Sequence, residues 1–305
     1  TALGVEQTLA SQGMIHGGVK YSLSGLVNNH FDTLKGMPDR WMKCLSGDDQ
    51  VDLRSVKILS PRSYMFSDAS LSSKLVTFLG SLLLRGHVSP VEPANFPKAF
   101  SNPKFKGNLY ELRDIVIDTR SLVENLTREF ETRIVKGHPE IVGKAGRISS
   151  LIIGRKYRVK AEKYILAAGI GNQEIINAVE IPLEMQNRSL HQVVIRGKNL
   201  PDLFAHAVSI RDLSKPRITF TTHILEGYKY WYLGGELAES GVKRTSVDQI
   251  KFAKEELNNI LPWIDFSECK FSTFRIDRAE PKSKKNLKPA KAFVQFYENT
   301  IVCWP

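Results

Sequence analysis

The sequence predicts a mixed protein, α/β with α+β parts. Three observations lead there. Strands and helices alternate through the first 180 or so residues, hairpin-type strands dominate from Pro182 onward, and one capped helix interrupts that late strand region. A chain of 305 residues is long enough to bury one large core or two smaller ones.

Residues Leu9 to Tyr21 read LASQGMIHGGVKY, too irregular for a helix and too polar for a core strand. A helix is expected over Leu23–Leu34, ending in the Gly36-Met37-Pro38 turn. Val51–Leu59 has strand composition. Asp68 then stands at an N-cap before Leu71, Leu75, Phe78, Leu79 and Leu82, which recur at helical spacing up to Gly86. Gly107–Ile117 reads as a strand ending at Asp118, and Ser121–Phe130 carries Leu122, Leu126 and Phe130 on one helical face. Short strands are expected at Arg133–Val135, Arg147–Ile153 and Arg158–Ala168, and a helix over Asn172–Val179.

Beyond Pro182, Ser189–Arg196 and Arg217–Thr222 are rich in β-branched residues. Lys229–Gly234 pairs with the segment from Arg217 to Ile224 across Glu226-Gly227. Ser246 and Gln249 form a capping-box pair that opens a helix through Ile260, stopped by Pro262. Phe293–Phe296 and Thr300–Cys303 close the sequence as a strand pair.

Composition narrows the function classes. A hydrophobic share of 42% and a charged share of 25% are those of a globular protein, which excludes fibrous and disordered classes. The longest apolar stretch, Leu75 to Leu84, is broken by Thr77, Gly80 and Ser81, so no transmembrane segment is expected. No basic-then-apolar leader opens the sequence, and the first residue is Thr1 rather than Met, so a missing upstream segment is expected. Cys44, Cys269 and Cys303 stand at wide, motif-free spacings that suit neither a disulfide framework nor a zinc site, and a reducing cytoplasm is the expected location. The net charge of +11 favours anionic partners, yet the positive residues are scattered, with one modest cluster from Lys282 to Lys291. No nucleic-acid partner is expected, because the cations form no stripe.

Three segments have the residue types that chemistry needs. The strand ending in Ala167-Ala168-Gly169 offers small residues where a flat ligand could approach, with a helix start behind it. It equally fits a tight turn with no ligand. The loop Ser11-Gln12-Gly13-Met14-Ile15-His16-Gly17-Gly18 collects side-chain hydrogen-bonding groups, backbone amides and one histidine, a composition suited to lining a planar heterocycle. In Phe274-Arg275-Ile276-Asp277-Arg278-Ala279-Glu280-Pro281, alternation puts Arg275 and Asp277 on one face and Ile276 and Arg278 on the other. An arginine on a rigid strand is a good fork for a carboxylate or phosphate, and the same residues would also serve as a surface ion-pair ladder. His191 and His223, and Tyr230 and Tyr232 opposite His223, suit either packing or a cavity wall. No His/Cys/Asp cluster has metal-ligand spacing, and no metal is expected; no nucleophile elbow or P-loop occurs.

Taken in order, these pieces resemble the flavin-dependent family that includes glycine, sarcosine and D-amino-acid oxidases and glycerol-3-phosphate dehydrogenases. LASQGMIHGGVKY looks like the family's loop along the isoalloxazine, and AEKYILAAG like the strand that packs beside FAD. YWYLGGELAE looks like part of its antiparallel substrate sheet, and FSTFRIDRAEP like the return strand that brings an arginine to the substrate. The likeness covers most of the chain, and the glycerol-3-phosphate dehydrogenase-like branch is the nearer one.

The resemblance implies an incomplete Rossmann-like FAD-binding domain interleaved with an antiparallel-sheet substrate domain. Residues 1–43, 118–181 and 275–305 would belong to the former, 44–117 and 182–274 to the latter. The family's Gly-x-Gly-x-x-Gly unit and its C-terminal flavin-capping segment are not in the sequence, so FAD binding by the 305 residues is an open expectation.

The implied activity is FAD-dependent oxidation of a C–N or C–O bond of a small, anionic substrate such as an amino acid, hydroxy acid or glycerol phosphate, with the electron acceptor unspecified. His16, Arg275 and Arg278 are the implied catalytic residues. Ser11, Gln12, Gly13, Met14, Ile15, His16, Gly17, Ala167, Ala168 and Gly169 would contact the cofactor, and His223 and Tyr232 would line the substrate. The alternatives are a flavin-free relative acting as a binding or scaffold protein and a basic nucleic-acid-binding protein. The branch would allow peripheral membrane contact, for which the sequence offers no amphipathic anchor.

Overall fold

The computed structural model describes residues 3–17, 36–67, 88–154, 156–208, 215–283 and 292–304. The helices expected over Leu23–Leu34 and from Asp68 to Gly86 lie outside these residues. Contacts divide the chain into two compact units. One comprises Thr1–Ala10, Thr127–Ser189 and Ile276–Pro305, and the other Ser11–Leu126 and Leu190–Arg275.

The larger unit holds most of an eight-stranded sheet, whose strands run in the order Lys270–Pro281, Met185–Gly197, Tyr228–Gly234, Ile218–Leu225, Ala205–Ala207, Ser63–Ser67, Asn108–Leu112 and Val88–Pro90. The central hairpin joins Ile218–Leu225 to Tyr228–Gly234 through Glu226 and Gly227, whose φ values of 51° and 73° are both positive. Such a tight two-residue turn matches the right-handed twist of the strands it connects.

Alternation along these strands sorts the sheet into two faces. Ile218 and Phe220, Trp231 and Leu233, Val193 and Ile195, and Ala205 and Ala207 all point to one side and are buried there. The helix Ser246–Ile260 covers that side with Ala253 and Leu257. Its cap is Thr245, which accepts from the Asp248 amide, one residue earlier than the expected Ser246–Gln249 pair. Gln249 is buried instead, donating to the carbonyls of His191 and Leu237. An amide turned into the core must find partners there, and this one ties the helix to the sheet.

A small sheet in the same unit pairs Met14–Ile15 and Ile58–Ser60 with the two sides of Ile115–Ile117. The run from Gly107 to Ile117 is therefore two strands, not one: Asn108–Leu112 belongs to the large sheet and Ile115–Ile117 to the small one. Between them stand Arg113 and Asp114. Similarly, only Ile58–Ser60 of the expected Val51–Leu59 strand is paired, because the preceding residues turn back on the helix Met37–Ser46 through the Leu53 amide and the Cys44 carbonyl.

The smaller unit holds two three-stranded sheets. Tyr164–Leu166 runs parallel to Thr300–Trp304, which forms a hairpin with Phe293–Tyr297. Pro139–Lys144, Arg147–Ile153 and Tyr157–Val159 form the other sheet. The segment Arg158–Ala168 is thus divided between two sheets, broken where Lys160 to Lys163 are all exposed. In place of a strand at Arg133–Val135 there is a single 3-10 turn, Glu131–Arg133. Ile148, Ile176, Val179 and Val302 anchor this unit's core beneath the short helix Asn172–Ala178. Among the described residues, no helix is long and apolar enough to cross a membrane.

Trp231 is fully buried, meets Phe220 edge-on and donates its indole N–H to the Pro201 carbonyl. Trp231→Ala is expected to lower stability by about 3–5 kcal/mol through the cavity it leaves. Urea unfolding followed by circular dichroism measures this, and a loss below about 1 kcal/mol would contradict a core centred on this face.

Candidate active site

The break between Asn108–Leu112 and Ile115–Ile117 places a carboxylate at the crossing from one sheet to the other. Asp114 is 1% exposed and accepts the Gly17 amide on one oxygen at 2.7 Å and His16 Nδ1 on the other at 3.0 Å. His206, fully buried, brings Nε2 to 3.7 Å from the same carboxylate, and its Nδ1 lies 2.9 Å from the Thr219 hydroxyl. Burial raises the carboxyl's pKa, but His16 and His206 outweigh it and hold Asp114 below the usual carboxylate range.

The loop Ser11–Gly17 is fixed to this crossing by its backbone. Met14 and Ile15 pair with Val116 and Ile115, and the Ile117 amide donates to the Gly13 carbonyl at 2.9 Å. Gly13 has a φ of 66°, and a Cβ there would collide with the Ile117 carbonyl. Only glycine lets the loop lie this close.

The loop then follows one row of the large sheet. Gly234, Thr219, His206 and Met65 are paired in register across four strands and so share a face, the one opposite the helix-covered core. Gln12 lies over Gly234, where a Cβ would overlap its carboxamide, and its Nε2 donates to the carbonyls of Thr219 and Tyr232 at 3.0 and 2.9 Å. At the row's other end the rings of His16 and His206 are 5.5 Å apart.

The next positions on the same face are Thr221, His223, Tyr230 and Tyr232. His223 and Tyr232 form an edge-on pair at 4.7 Å, the Thr221 hydroxyl lies 3.3 Å from His223 Nε2, and Phe274 meets Tyr232 at 6.2 Å. Burial lowers the His223 pKa, with Asp118 opposing, and raises that of the Tyr232 phenol, with Tyr230 adding to the shift and Arg120 opposing it. Both side chains are therefore neutral near pH 7, a wall of hydrogen-bonding groups without fixed charge.

His16, Asp114 and His206 also have the chemistry of a metal-ligand set, with donor atoms within 4.8 Å of one another. Two ligands of a tetrahedral zinc stand about 3.3 Å apart, given bonds of about 2.0 Å. The His16–Asp114 separation of 3.0 Å is that of a hydrogen bond, and the second carboxylate oxygen is taken by the Gly17 amide. The contact between His16 and Asp114 is a hydrogen bond.

The remaining expected site residues are placed elsewhere. Arg275 is exposed and donates through both terminal nitrogens to the carbonyls of Val242 and Arg244 at 2.8 and 2.6 Å. Arg278 donates Nε to the Arg188 carbonyl at 3.2 Å. In the smaller unit, Tyr164–Leu166 ends at Ala167, Ala168 and Gly169. The Ala168 amide is taken by the Asn172 side chain at 2.9 Å, so that N–H is not held out to an anion. Gly169 has a φ of 58° and nothing within 4 Å of where a Cβ would stand, while Ala167 and Ala168 are exposed.

No family model matches the chain. A curated protein of Pseudomonas aeruginosa, described as a probable FAD-dependent oxidoreductase, is 37% identical over 311 residues, which span 100% of this chain and 78% of that protein. The chain is a member of this FAD-dependent oxidoreductase family. The crystal structure of an FAD-dependent oxidoreductase from the same organism superposes with a TM-score of 0.83 at 33% identity, covering 100% of this chain and 77% of that one. Two further structures share the fold alone. They are glycine oxidase from Geobacillus kaustophilus (TM-score 0.66, 13% identity, 98% and 79% covered) and FAD-bound L-α-glycerophosphate oxidase from Mycoplasma pneumoniae (TM-score 0.65, 12% identity, 99% and 80% covered).

The oxidoreductase uses FAD, and the residues present fit a flat cofactor. The strand end is small, with Ala167 and Ala168 exposed and a left-handed Gly169 that has open space where a side chain would otherwise stand. The sequence pointed to His16, which the structure brings together with Asp114 and His206, and to His223 and Tyr232, which it pairs, but Asp114 and His206 were not singled out. A lone carboxylate inside the apolar run Leu112-Arg113-Asp114-Ile115-Val116-Ile117 and a histidine between Ala205 and Ala207 were the available signals.

Two predictions follow from this geometry. A carboxyl with a depressed folded-state pKa stabilises the protein above its unfolded value, about 3.9, and that contribution is lost as pH falls through the folded value. Asp114→Asn is therefore expected to flatten the acid limb of stability below about pH 4 relative to the parent, in unfolding curves recorded from pH 2 to 7. Gly234→Ala is expected to displace Gln12 and loosen the Ser11–Gly17 loop, read as faster amide exchange at Met14 and Ile15 with Trp231 left protected. Unchanged exchange at those two amides would refute the anchoring.

Proposed function

We propose that this oxidoreductase oxidises a C–N or C–O bond of a small anionic substrate, an amino acid, hydroxy acid or glycerol phosphate, held against the Thr221, His223 and Tyr232 face of the large sheet. The observation that carries the reading is the polar, uncharged face itself, flanked by a loop that presents His16. FAD, when bound, supplies the two-electron acceptor for such an oxidation.

The chain's own residues do the rest. Ser11 to Gly17 would line the flavin's edge, with Gln12 anchoring the loop and His16 held by Asp114. His223 and Tyr232 orient the substrate as neutral hydrogen-bonding groups. A net charge of +11 draws in anions. The names of the solved neighbours, a glycine oxidase and a glycerophosphate oxidase, are consistent with both substrate chemistries.

The deciding experiment mixes the flavin-loaded protein with amino acids, hydroxy acids and glycerol 3-phosphate without oxygen and follows bleaching of the flavin absorbance. Bleaching by one class names the substrate; no bleaching by any of them refutes the reading. Arg275 and Arg278 are the candidates for the substrate's negative charge. Losing a charge-assisted contact of about 1.5–3 kcal/mol raises KM roughly tenfold or more. KM unchanged in both Arg275→Ala and Arg278→Ala would remove this strand from substrate binding.

A further inference from the structure

We infer that Asp114 is a positioning residue that sets the tautomer of His16, holding the proton on Nδ1 and leaving Nε2 as the basic nitrogen of the neutral ring. The inference deepens the proposed function, since it rests on the reading that His16 faces the chemistry.

Both oxygens of the carboxylate are committed. The Gly17 amide can only donate, so the Asp114 oxygen at 2.7 Å from it can only accept. The other oxygen lies 3.0 Å from His16 Nδ1. Asp114 is kept ionised below the usual range, and an ionised carboxylate has no proton to give. Nδ1 must then be the donor, and a neutral imidazole that donates from Nδ1 has its lone pair on Nε2. Gly17 directly follows His16, so one carboxylate grips the backbone and the ring of adjacent residues at once.

His206 closes the arrangement. It is fully buried, is hydrogen-bonded to Thr219 through Nδ1, and turns Nε2 towards the same carboxylate at 3.7 Å. Its ring lies beside His16, and its interaction with Asp114 adds to what keeps the carboxylate charged. The three residues come from a loop, a strand crossing and a central strand, so the network also ties the loop to the sheet.

Asparagine at position 114 separates this role from simple packing, because it has almost the same shape. Its carbonyl oxygen can still accept from Gly17, and its NH2 group must then face His16 Nδ1. A donor there forces Nδ1 to accept, and the proton moves to Nε2.

The test uses the flavin-loaded protein with 15N-labelled histidine, whose long-range 1H–15N spectra report the tautomer of each ring. His16 is assigned by its absence in His16→Gln. The parent should show His16 protonated on Nδ1, and Asp114→Asn should move the proton to Nε2. With a substrate in hand, flavin reduction should slow about tenfold or more while KM changes less, within the range for a misplaced acid or base. An Nε2-protonated His16 in the parent overturns the inference without any variant, as does an unchanged tautomer in folded Asp114→Asn. A shifted tautomer with an unchanged rate of flavin reduction supports the positioning and instead overturns the assignment of His16 to the chemistry. Stoichiometric bound metal lost in Asp114→Asn would overturn the inference in favour of an ion site.

Discussion

A carboxylate buried where the chain leaves one sheet for another must be satisfied by whatever surrounds it, and around Asp114 those surroundings are the candidate site. The cost of burying a charge is met by a backbone amide and an imidazole from one loop and a second imidazole from a central strand. The loop carrying His16 cannot move without stripping Asp114 of donors. Nor can His206 leave without opening space beside His16. The same contacts that keep the carboxylate charged therefore hold the loop against the sheet.

The sheet supplies the rest by its two-sidedness. One face is given over to Phe220, Trp231, Leu233 and the helix Ser246–Ile260, a dry core whose burial, at about 25 cal/mol per Å² of apolar area, fixes the register of every strand. With the register fixed, the opposite face is fixed too: a one-residue slip would send Thr219, His223 and Tyr232 inward. The polar face is precise because the apolar one is tightly packed. Gly234 shows how closely the two levels are coupled. One missing side chain in the hairpin makes the space in which Gln12 reaches two carbonyls and so holds the loop.

Much of this was legible in the sequence where the signal is local. The strand limits of Arg147–Ile153, the hairpin across Glu226-Gly227, the final strand pair and the mixed fold class follow from alternation and turn chemistry. So do the glycine-rich loop and the small-residue strand end, as well as the pairing of His223 with the tyrosine strand. Errors arose where a run of strand-forming residues is divided between sheets, at Arg113–Asp114 and at Lys160–Lys163, because propensity records that a segment is extended and not which neighbour it pairs with. The helix cap was misplaced by one residue because Gln249 has a tertiary role that a local pattern does not express.

The sequence by itself determined the fold class and the side chains available on each strand face, since alternation and turn residues act over a few positions, and its ordered motifs carried the family resemblance. Only the tertiary structure decided what His16 does with its ring. Its partners lie 98 and 190 positions away along the chain, and a hydrogen bond of 3.0 Å to Asp114 depends on three backbone segments being packed to within a fraction of an ångström. No spacing rule encodes that distance, because it is set by how the two sheets of the larger unit meet at Asp114.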